Sequence, residues 1–258
     1  MPKTTEVSDL IRRFESLIAR HAELRSKEVG QLTKVLNELL PGFLAERKNW
    51  AQAQRKTADD FNLFQVMGVD AAEVCHSTLL AWLLDHRIEG GTHAQGPLGF
   101  RLFLEELRRE LQEEHGGDVT SYAEVDYWVR AEVSGDEARV DIEIAAQNSF
   151  LIHIENKIYS AEGDSQTNRE WRDLQARRRE LGVPEDRCHA LFLTLDGRRA
   201  QNVNFRSVGW NRIARILNKF ADQAEPPEVK LFARHYSKAI RKLSAMEREE
   251  MEGDDGDV

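Results

Sequence analysis

The chain has 258 residues, of which 41% are apolar and 31% charged, and its net charge at pH 7 is −9. These values are typical of a globular protein with a sizeable core, and no apolar run is long enough to span a membrane. The N-terminal segment lacks the apolar centre of a signal peptide, and Cys75 and Cys188 are too few for a disulfide framework or a four-thiolate zinc site. We therefore expect a cytoplasmic protein.

The negative charge is concentrated at the C-terminus. Residues 247–258 contain seven acidic residues and one basic residue, a net charge of −6 that leaves −3 for the rest of the chain. A segment with so much charge and so few apolar residues is expected to be disordered. The nearly neutral remainder neither favours nor excludes binding to nucleic acid.

Hydrophobic periodicity predicts helices at both ends of the chain and an α/β core between them. Apolar residues at helical spacing predict helices from about residue 7 to residue 60, interrupted at Pro41, which we interpret as a structural extension or an oligomerisation surface. The other helices are predicted at about 71–85, 98–114, 165–181, 210–221 and 228–246. Two-residue alternation or a short apolar run predicts strands at about 125–133, 139–145, 150–158 and 188–195.

The order of these elements predicts the domain organisation. A helix, three strands in a meander, a helix and a further strand form one α/β domain, which we place at 61–246. A helical N-terminal extension, 1–60, precedes this domain, and the acidic disordered tail, 247–258, follows it.

One Glu-x-Lys triplet is distinguished by its position. About one such triplet is expected by chance in a chain of this length, and three occur: 46–48, 155–157 and 228–230. The first and last lie in predicted helices, where residues two apart point in different directions. Only 155–157 lies in a predicted strand, where residues two apart share a face.

The predicted hairpin brings this triplet next to another carboxylate. The second and third strands each carry an apolar row, made of Ile142, Ile144, Ile152 and Ile154. Burying both rows on one side requires an antiparallel register such as Ile142 with Ile154 and Ile144 with Ile152. That register places Asp141 opposite Glu155 on the other side of the hairpin, with Lys157 one step along the same face.

Two adjacent carboxylates repel each other unless a proton or a cation lies between them. Oxygen ligands of this kind suit Mg²⁺, which stays largely hydrated and meets phosphate oxygens. Such a metal polarises a phosphoryl group and acidifies a bound water, and Lys157 beside it would orient or deprotonate that water, or stabilise the transition state. The alternative interpretation of Asp141, Glu155 and Lys157 is a solvent-facing ladder of ion pairs on an exposed sheet face.

At these residues the chain resembles the PD-(D/E)XK nuclease superfamily, which has the restriction-endonuclease-like fold. The order of helix, three strands, helix and strand is similar to that family's core, although no proline precedes Asp141. More narrowly, the chain is similar to a bacterial branch with an E-x-x-H-S motif and an IENK motif. The matching segments lie between about residues 61 and 217: Phe61–Phe64, Glu73–Ser77, Arg139–Ile142, Ile154–Lys157, Leu191–Gly197 and Gly209–Ile213.

The resemblance implies a metal site on the hairpin and an α/β restriction-endonuclease-like core at 61–246. Asp141 and Glu155 would be metal ligands, and the carbonyl of Asn156 would be a third. Glu73, on the first core helix, would coordinate or orient the metal through a water; alternatively it is an ordinary acidic residue favoured by the helix dipole. The implied cofactor is Mg²⁺ or Mn²⁺.

The resemblance also implies two residues beside the metal. Lys157 would act on the attacking water. Gln166, in the first turn of the following helix, would brace the site or contact a phosphate; alternatively it is simply a polar residue at a helix end. The whole set of implied catalytic residues is Asp141, Glu155, Lys157, Gln166 and Glu73.

Several other polar residues admit two interpretations. For His76 a buried, hydrogen-bonded histidine is favoured over a catalytic role, and His153 either contacts substrate or lies on the surface. His86 and His93 lack the spacing of a zinc site. The arginines of the 165–181 helix either follow a phosphate backbone or form a solvated helical face; they are Arg169, Arg172, Arg177, Arg178 and Arg179.

The predicted function is metal-dependent hydrolysis of phosphodiester bonds by an endonuclease, with DNA as the expected substrate. The resemblance also suggests a role in bacterial anti-phage defence, with a homodimer or a partner subunit of a defence complex, and no membrane association. Two alternatives stay open: a non-catalytic nucleic-acid-binding or assembly subunit on the same fold, and a nuclease that acts on RNA.

Overall fold

The computed structural model of the chain describes residues 4–58, 61–87, 89–112 and 118–254. The chain divides into two compact units, Met1–Phe61 and Asn62–Val258. The parts of the sequence predictions that concern residues 59–60, 113–114 and 255–258 lie outside the described residues.

The described residues of the first unit form one helix, α1 (Thr4–Thr57), with Pro41 inside it. The predicted interruption at Pro41 is therefore wrong. Proline removes one backbone donor and its ring crowds the preceding turn, but every side chain from 29 to 53 is exposed. Water can therefore hydrogen-bond to the carbonyl group that loses its helical partner, and the helix continues.

The second unit is built around a five-stranded mixed sheet in the order β1-β2-β3-β4-β5. The first three strands form an antiparallel meander, and β4 and β5 add to it in parallel. The strands are β1 (Trp128–Ser134), β2 (Arg139–Ala146), β3 (Phe150–Lys157), β4 (Cys188–Thr194) and β5 (Phe205–Gly209). Strand β5 was not predicted from the sequence, because its five residues bury only Phe205 and Val208, too few for a visible alternation.

Helices cover both faces of this sheet. The first strand was predicted to begin at residue 125. A 3₁₀ turn occupies Val119–Glu124, and β1 begins at Trp128, three residues after the predicted start. The predicted helix over 98–114 is divided at Leu107. The helices are α2 (Leu63–Met67), α3 (Glu73–Leu84), α4 (Leu98–Glu106), α5 (Arg108–Leu111), α6 (Gln166–Glu180), α7 (Trp210–Gln223) and α8 (Pro227–Asp254). The acidic segment predicted to be disordered from Glu247 has helical backbone as far as Asp254.

The main core lies on the sheet face that carries the four isoleucines. Ile142 pairs with Ile154 and Ile144 with Ile152, as the sequence predicts, and all four are at most 1% exposed. They belong to one apolar cluster with residues of α3, α4, α7 and α8. The isoleucine rows thus fix the register of the hairpin, because a slip by one residue would turn each of them to the other face.

The opposite face of the sheet is also covered, by α6. A second, smaller apolar cluster includes Leu151 of β3, Phe192 of β4 and Leu174 of α6. The interpretation of Asp141, Glu155 and Lys157 as a solvent-facing ladder of ion pairs is therefore wrong. The apolar residues of this face pack against α6, so the helix also covers the charged residues beside them. Among the described residues, no helix is long and apolar enough to cross a membrane.

Candidate active site

Asp141 lies where the backbone pairing of β2 and β3 ends. The last paired residues are Ile142 and Ile154, and at the next position the Asp141 carboxylate accepts a hydrogen bond from the Asn156 backbone N–H at 2.7 Å. Burial, and then the charge of Glu155, raise the pKa of Asp141 to about 7. The predicted register therefore brings Asp141 and Glu155 into electrostatic contact.

Glu155 is more deeply buried than Asp141 and Lys157, and its side chain is 1% exposed. Its Oε1 lies 2.8 Å from the Lys157 Nζ and accepts a hydrogen bond from the Gln166 Nε2 at 2.5 Å. Burial and the neighbouring Glu170 carboxylate raise the pKa of Glu155 to about 8. Burial lowers the pKa of Lys157, but the surrounding carboxylates, Glu155 first, raise it above its usual value. Lys157 is therefore a cation at neutral pH.

Glu170 belongs to this group, although the sequence analysis did not single it out. It lies on α6, one turn after Gln166, and is 3% exposed. The Gln166 Nε2 that donates to Glu155 also donates to Glu170 Oε1, at 2.8 Å, and burial raises the pKa of Glu170 to about 7. The signal in the sequence was the i, i+4 spacing from Gln166, which places both side chains on one face of the helix.

Glu132 of β1 is a further carboxylate near Asp141. The pairing of β1 with β2 places it opposite Asp141, and its charge contributes to the raised pKa of Asp141. Its backbone has a φ of 58°, a conformation that costs free energy for a residue with a side chain. Its carboxylate pairs with Arg139 at 3.0 Å.

The cluster has oxygen atoms to offer a cation. Glu155 Oε2 and Glu170 Oε2 are both buried, and no N–H or O–H group of the described residues donates a hydrogen bond to either. The two carboxyl groups lie within hydrogen-bonding reach of each other. Unpartnered buried carboxylate oxygens are costly, and an excess of carboxylates around one lysine adds repulsion. A hydrated divalent cation would relieve both penalties, and Mg²⁺ needs only one or two carboxylates from the protein. Among the described residues, however, no three His, Cys, Asp or Glu side chains lie close enough together to hold a metal by themselves.

The Asn156 side chain points away from the carboxylates. Its amide donates hydrogen bonds to the Glu73 carbonyl at 3.1 Å and to Ser77 Oγ at 3.2 Å, and its oxygen accepts one from Trp210 Nε1 at 3.0 Å. Asn156 therefore ties β3 to α3 and α7 on the main-core side. Only its backbone carbonyl is left to act as the predicted ligand.

Glu73 lies at the first position of α3 and contacts the chain just after Lys157. Its Oε1 accepts hydrogen bonds from the Ile158 N–H at 2.8 Å and from the Ser160 N–H and Oγ at 3.3 and 2.7 Å. Burial acts to raise the pKa of Glu73, but these hydrogen bonds bring it below its usual value. Glu73 thus fixes the segment that follows β3, and it does not form a ligand group with Asp141 and Glu155.

His76 is a buried structural histidine, which is the interpretation that the sequence favours. It is 1% exposed, its Nε2 donates to the Asp70 carbonyl at 2.7 Å, and its Nδ1 lies 3.0 Å from the Tyr236 hydroxyl. Both ring nitrogens therefore have partners within the fold. A catalytic role for His76 would require breaking one of these bonds.

His153 is buried on the same sheet face as Glu155 and is not a surface residue. Its Nε2 lies 3.3 Å from Glu143 Oε2, and Glu143 also receives hydrogen bonds from Trp128 and Arg177. Burial acts to raise the pKa of Glu143, but these three partners bring it down to about 2. A cavity of about 310 Å³ lies beside this group, and Glu170 also lines it.

The arginines of α6 are occupied mostly by partners within the protein. Arg177 contacts the buried Glu143, Arg172 pairs with Glu137, and Arg178 donates to the Val183 carbonyl. This arrangement differs from both interpretations of the sequence, because the charge of α6 is partly neutralised by the β1–β2 hairpin.

One comparison with known proteins gives a match. A family model described as "PD-(D/E)XK nuclease superfamily" matches residues 61–249. No curated protein and no solved structure matches the chain significantly. The matched range contains every site residue described above, from Glu73 to Glu170.

Proposed function

The chain belongs to the PD-(D/E)XK nuclease superfamily, and from that premise we propose that it is a metal-dependent endonuclease that hydrolyses phosphodiester bonds of DNA. The observation that carries this proposal is the group formed by the buried Glu155 and the half-buried Asp141 and Lys157. A chain that only needed a stable fold would gain nothing from crowding carboxylates with raised pKa values around one lysine.

Asp141 and Glu155 are the proposed metal ligands, with the backbone carbonyl of Asn156 as the third. The buried Oε2 atoms of Glu155 and Glu170, to which no described N–H or O–H group donates, support a cation at this point, and Glu170 is a candidate for a further oxygen contact. A divalent cation, Mg²⁺ or Mn²⁺, supplies Lewis-acid chemistry to the phosphoryl group and to the attacking water when it is bound.

Lys157 is the proposed donor to the reacting phosphate. Because the carboxylates raise its pKa, its ammonium group stabilises the negative charge that develops on the phosphate oxygens and orients the attacking water, and it does not serve as the base. Preorganised charges of this kind act strongly because they need no rearrangement during the reaction. Its 2.8 Å contact with Glu155 holds it in place.

Gln166 and Glu73 are proposed to act as positioning residues. Gln166 holds Glu155 and Glu170 at a fixed separation through one amide nitrogen. Glu73 holds Ile158 and Ser160, and so it fixes the end of the strand that carries Lys157. Neither residue needs to contact the metal for this role.

The biological setting is proposed from the family alone. We propose a cytoplasmic enzyme that acts on foreign DNA in anti-phage defence, either as a homodimer or with a partner subunit. RNA as the substrate, and a nucleic-acid-binding role without cleavage, are the alternative outcomes of the experiment below.

The test is cleavage of labelled double-stranded DNA, single-stranded DNA and RNA by the purified chain with Mg²⁺ or Mn²⁺. We expect Asp141→Asn, Glu155→Gln and Lys157→Ala each to lower the rate on the order of 10³-fold, since each removes a charge that acts on the transition state. Glu228→Gln is the matched control, because Glu228 begins the Glu-x-Lys triplet of α8. It should cleave at the wild-type rate.

Three results would count against the proposal. Cleavage by Glu155→Gln at the wild-type rate would mean that the site lies elsewhere. Metal-dependent cleavage of RNA but not of DNA would mean that the substrate is RNA. Tight binding of DNA by the wild type without any cleavage would favour the binding or assembly role. Circular dichroism of each variant separates loss of chemistry from loss of fold.

A further inference from the structure

Helix α1 carries a broad apolar face that its own unit leaves in solvent. Nine large apolar side chains form this face, and each of them is 45 to 67% exposed. At 100° per residue they occupy about half of the helix circumference. We call them the α1 stripe: Val29, Leu32, Val35, Leu36, Leu39, Leu40, Phe43, Leu44 and Trp50.

The residues that disfavour a helix lie on the other side of α1. Pro41 and Gly30 are each more than about 120° from the centre of the α1 stripe at 100° per residue, as are Ala45 and Gln52. Over about six turns the stripe side of α1 contains no proline or glycine, although Thr33 and Arg47 lie among its apolar residues and Gly42 lies at its edge. This segregation indicates a face selected for packing.

A long helix with an uncovered apolar face needs a partner. Isolated helices have little stability in water, and most helical stability in proteins comes from burying an apolar face. A contiguous apolar surface of this extent is also larger than monomers usually expose. The side chains from 29 to 53, the α1 stripe included, are exposed.

We propose that a second copy of this chain covers the α1 stripe, and that the two α1 helices pair antiparallel. Within the α1 stripe, six residues follow the alternating steps of three and four that coiled coils use. They are Val29, Leu32, Leu36, Leu39, Phe43 and Trp50. Val35, Leu40 and Leu44 flank this seam and widen the contact.

The two charged residues on the seam favour the antiparallel orientation. Arg25 and Glu46 occupy positions of the same three-four series. A parallel pair would place each of them against its own copy, and directly opposed like charges are destabilising. An antiparallel pair with Leu36 opposite the partner's Leu39 places Glu46 opposite Val29.

The same antiparallel register gives Arg25 a favourable contact. In this register the numbers of any two opposed residues sum to 75. Arg25 therefore lies opposite Trp50, and Leu32 lies opposite Phe43. A guanidinium group over an indole ring is a favourable cation–π contact. The charged residue that would be repelled in a parallel pair is thus accommodated in the antiparallel one.

The area of the α1 stripe is sufficient for a stable dimer. If each of the nine side chains loses about 70 Å² of exposed surface, the pairing hides about 630 Å² per chain, which lies within the roughly 600–1,000 Å² per partner of stable complexes. Each dimer would then contain two copies of the unit Asn62–Val258. The pairing does not depend on the cleavage chemistry, so a failed nuclease assay leaves it untouched.

The experiment is sedimentation equilibrium of the full chain over a range of concentrations. We expect a mass twice that of the 29.6 kDa chain. Leu36→Glu combined with Leu39→Glu should give a monomer, because four charges would meet in the seam. Ala45→Glu combined with Gln52→Glu is the matched control, since it adds the same charge to the opposite side of α1. It should remain a dimer.

Disulfide crosslinking tests the orientation with the seam otherwise intact. Chains with Leu32→Cys mixed with chains with Phe43→Cys should form a crosslinked pair on oxidation, and Leu32→Cys alone should not. Wild type treated in the same way gives the background from Cys75 and Cys188. A monomeric or higher-order wild type, a dimer unaffected by the two Leu→Glu substitutions, or a Leu32→Cys self-crosslink would each overturn the proposal.

Discussion

The two faces of the β2–β3 hairpin are made by alternate residues of the same strands, yet their energetics are opposite. On one face Ile142, Ile144, Ile152 and Ile154 are paired and almost completely buried. On the other face Asp141 and Glu155 are held close together, with raised pKa values. The apolar face supplies stability and sets the register. The same register sets the positions of Asp141 and Glu155 on the charged face, where the repulsion between the two carboxylates is destabilising.

This difference explains how a strained site persists. Burying an apolar side chain contributes about 1.5–3 kcal/mol relative to leaving it exposed, so the isoleucine rows can offset the repulsion on the other side. A site built in this way needs no local stabilisation of its own. Substitutions in the isoleucine rows and at Asp141 or Glu155 should therefore affect stability in opposite directions.

The largest expected effect on stability comes from the apolar face. Ile154→Ala should lower the free energy of unfolding by about 2–5 kcal/mol, because it removes buried methyl groups and leaves a cavity. Asp141→Asn on the charged face should leave the free energy of unfolding within about 1 kcal/mol of wild type or raise it, since it removes repulsion. Urea denaturation of both variants measures the contrast, and equal losses would mean that the two faces do not differ as described.

The next effect concerns a carboxylate on the charged face that is fully satisfied. Glu143→Gln should cost about 1–3 kcal/mol, because it leaves Arg177 and His153 without their anionic partner. Glu180→Gln is the matched control, since Glu180 contacts the same Arg177 from an exposed position. If both variants lost the same stability, burial would not be the source of the effect.

The pKa of Glu143 gives this second effect a pH dependence. Its folded-state pKa of about 2 lies below the ordinary value near 4. The stability it contributes is therefore present above pH 4 and is lost as the pH falls toward 2. Thermal unfolding of wild type and Glu143→Gln should converge over that interval.

The hairpin register and the cluster of Asp141, Glu155 and Lys157 could be predicted from the sequence. A two-residue period with one apolar row excludes a slip by one residue, and the short turn between the strands limits slips by two. Gln166 was predicted to lie beside the metal site from its position in the family motif. Glu170 was not found, because its i, i+4 spacing from Gln166 shows only that the two share a helix face. That this face packs against Glu155 depends on how α6 lies over the sheet, which the spacing does not show. The continuous helix through Pro41 was missed for a related reason, since local propensity cannot show that solvent relieves the cost.

The raised pKa values on the charged face predict a smaller effect of the opposite sign. Asp141 and Glu155 keep their protons in the folded state to about pH 7 and 8, whereas the unfolded chain releases them near pH 4. The stability they contribute is present below pH 4 and is lost as the pH rises toward 8. Without divalent cations, the melting temperature of wild type relative to Glu155→Gln should therefore fall between pH 4 and pH 8.

Metal addition separates this effect from ordinary charge repulsion. At pH 8, Mg²⁺ or Mn²⁺ should raise the melting temperature of wild type more than that of Glu155→Gln, because a cation that binds only the folded state stabilises it. Calorimetry with and without the metal provides the measurement. Equal shifts for the two proteins would show that the cation does not bind at Glu155.

The smallest expected effect comes from the exposed arginine of α6. Arg172 and Glu137 pair with side chains that are 55% and 43% exposed, so Arg172→Ala should change the free energy of unfolding by at most about 0.5 kcal/mol. Because Glu137 already neutralises Arg172, we also expect the salt dependence of DNA binding to stay unchanged. A fall of about one in the slope of log affinity against log salt would instead mean that Arg172 leaves Glu137 to contact a phosphate. Since α6 also carries Gln166 and Glu170, that result would make the helix part of the DNA-binding surface as well as the cover of the charged face.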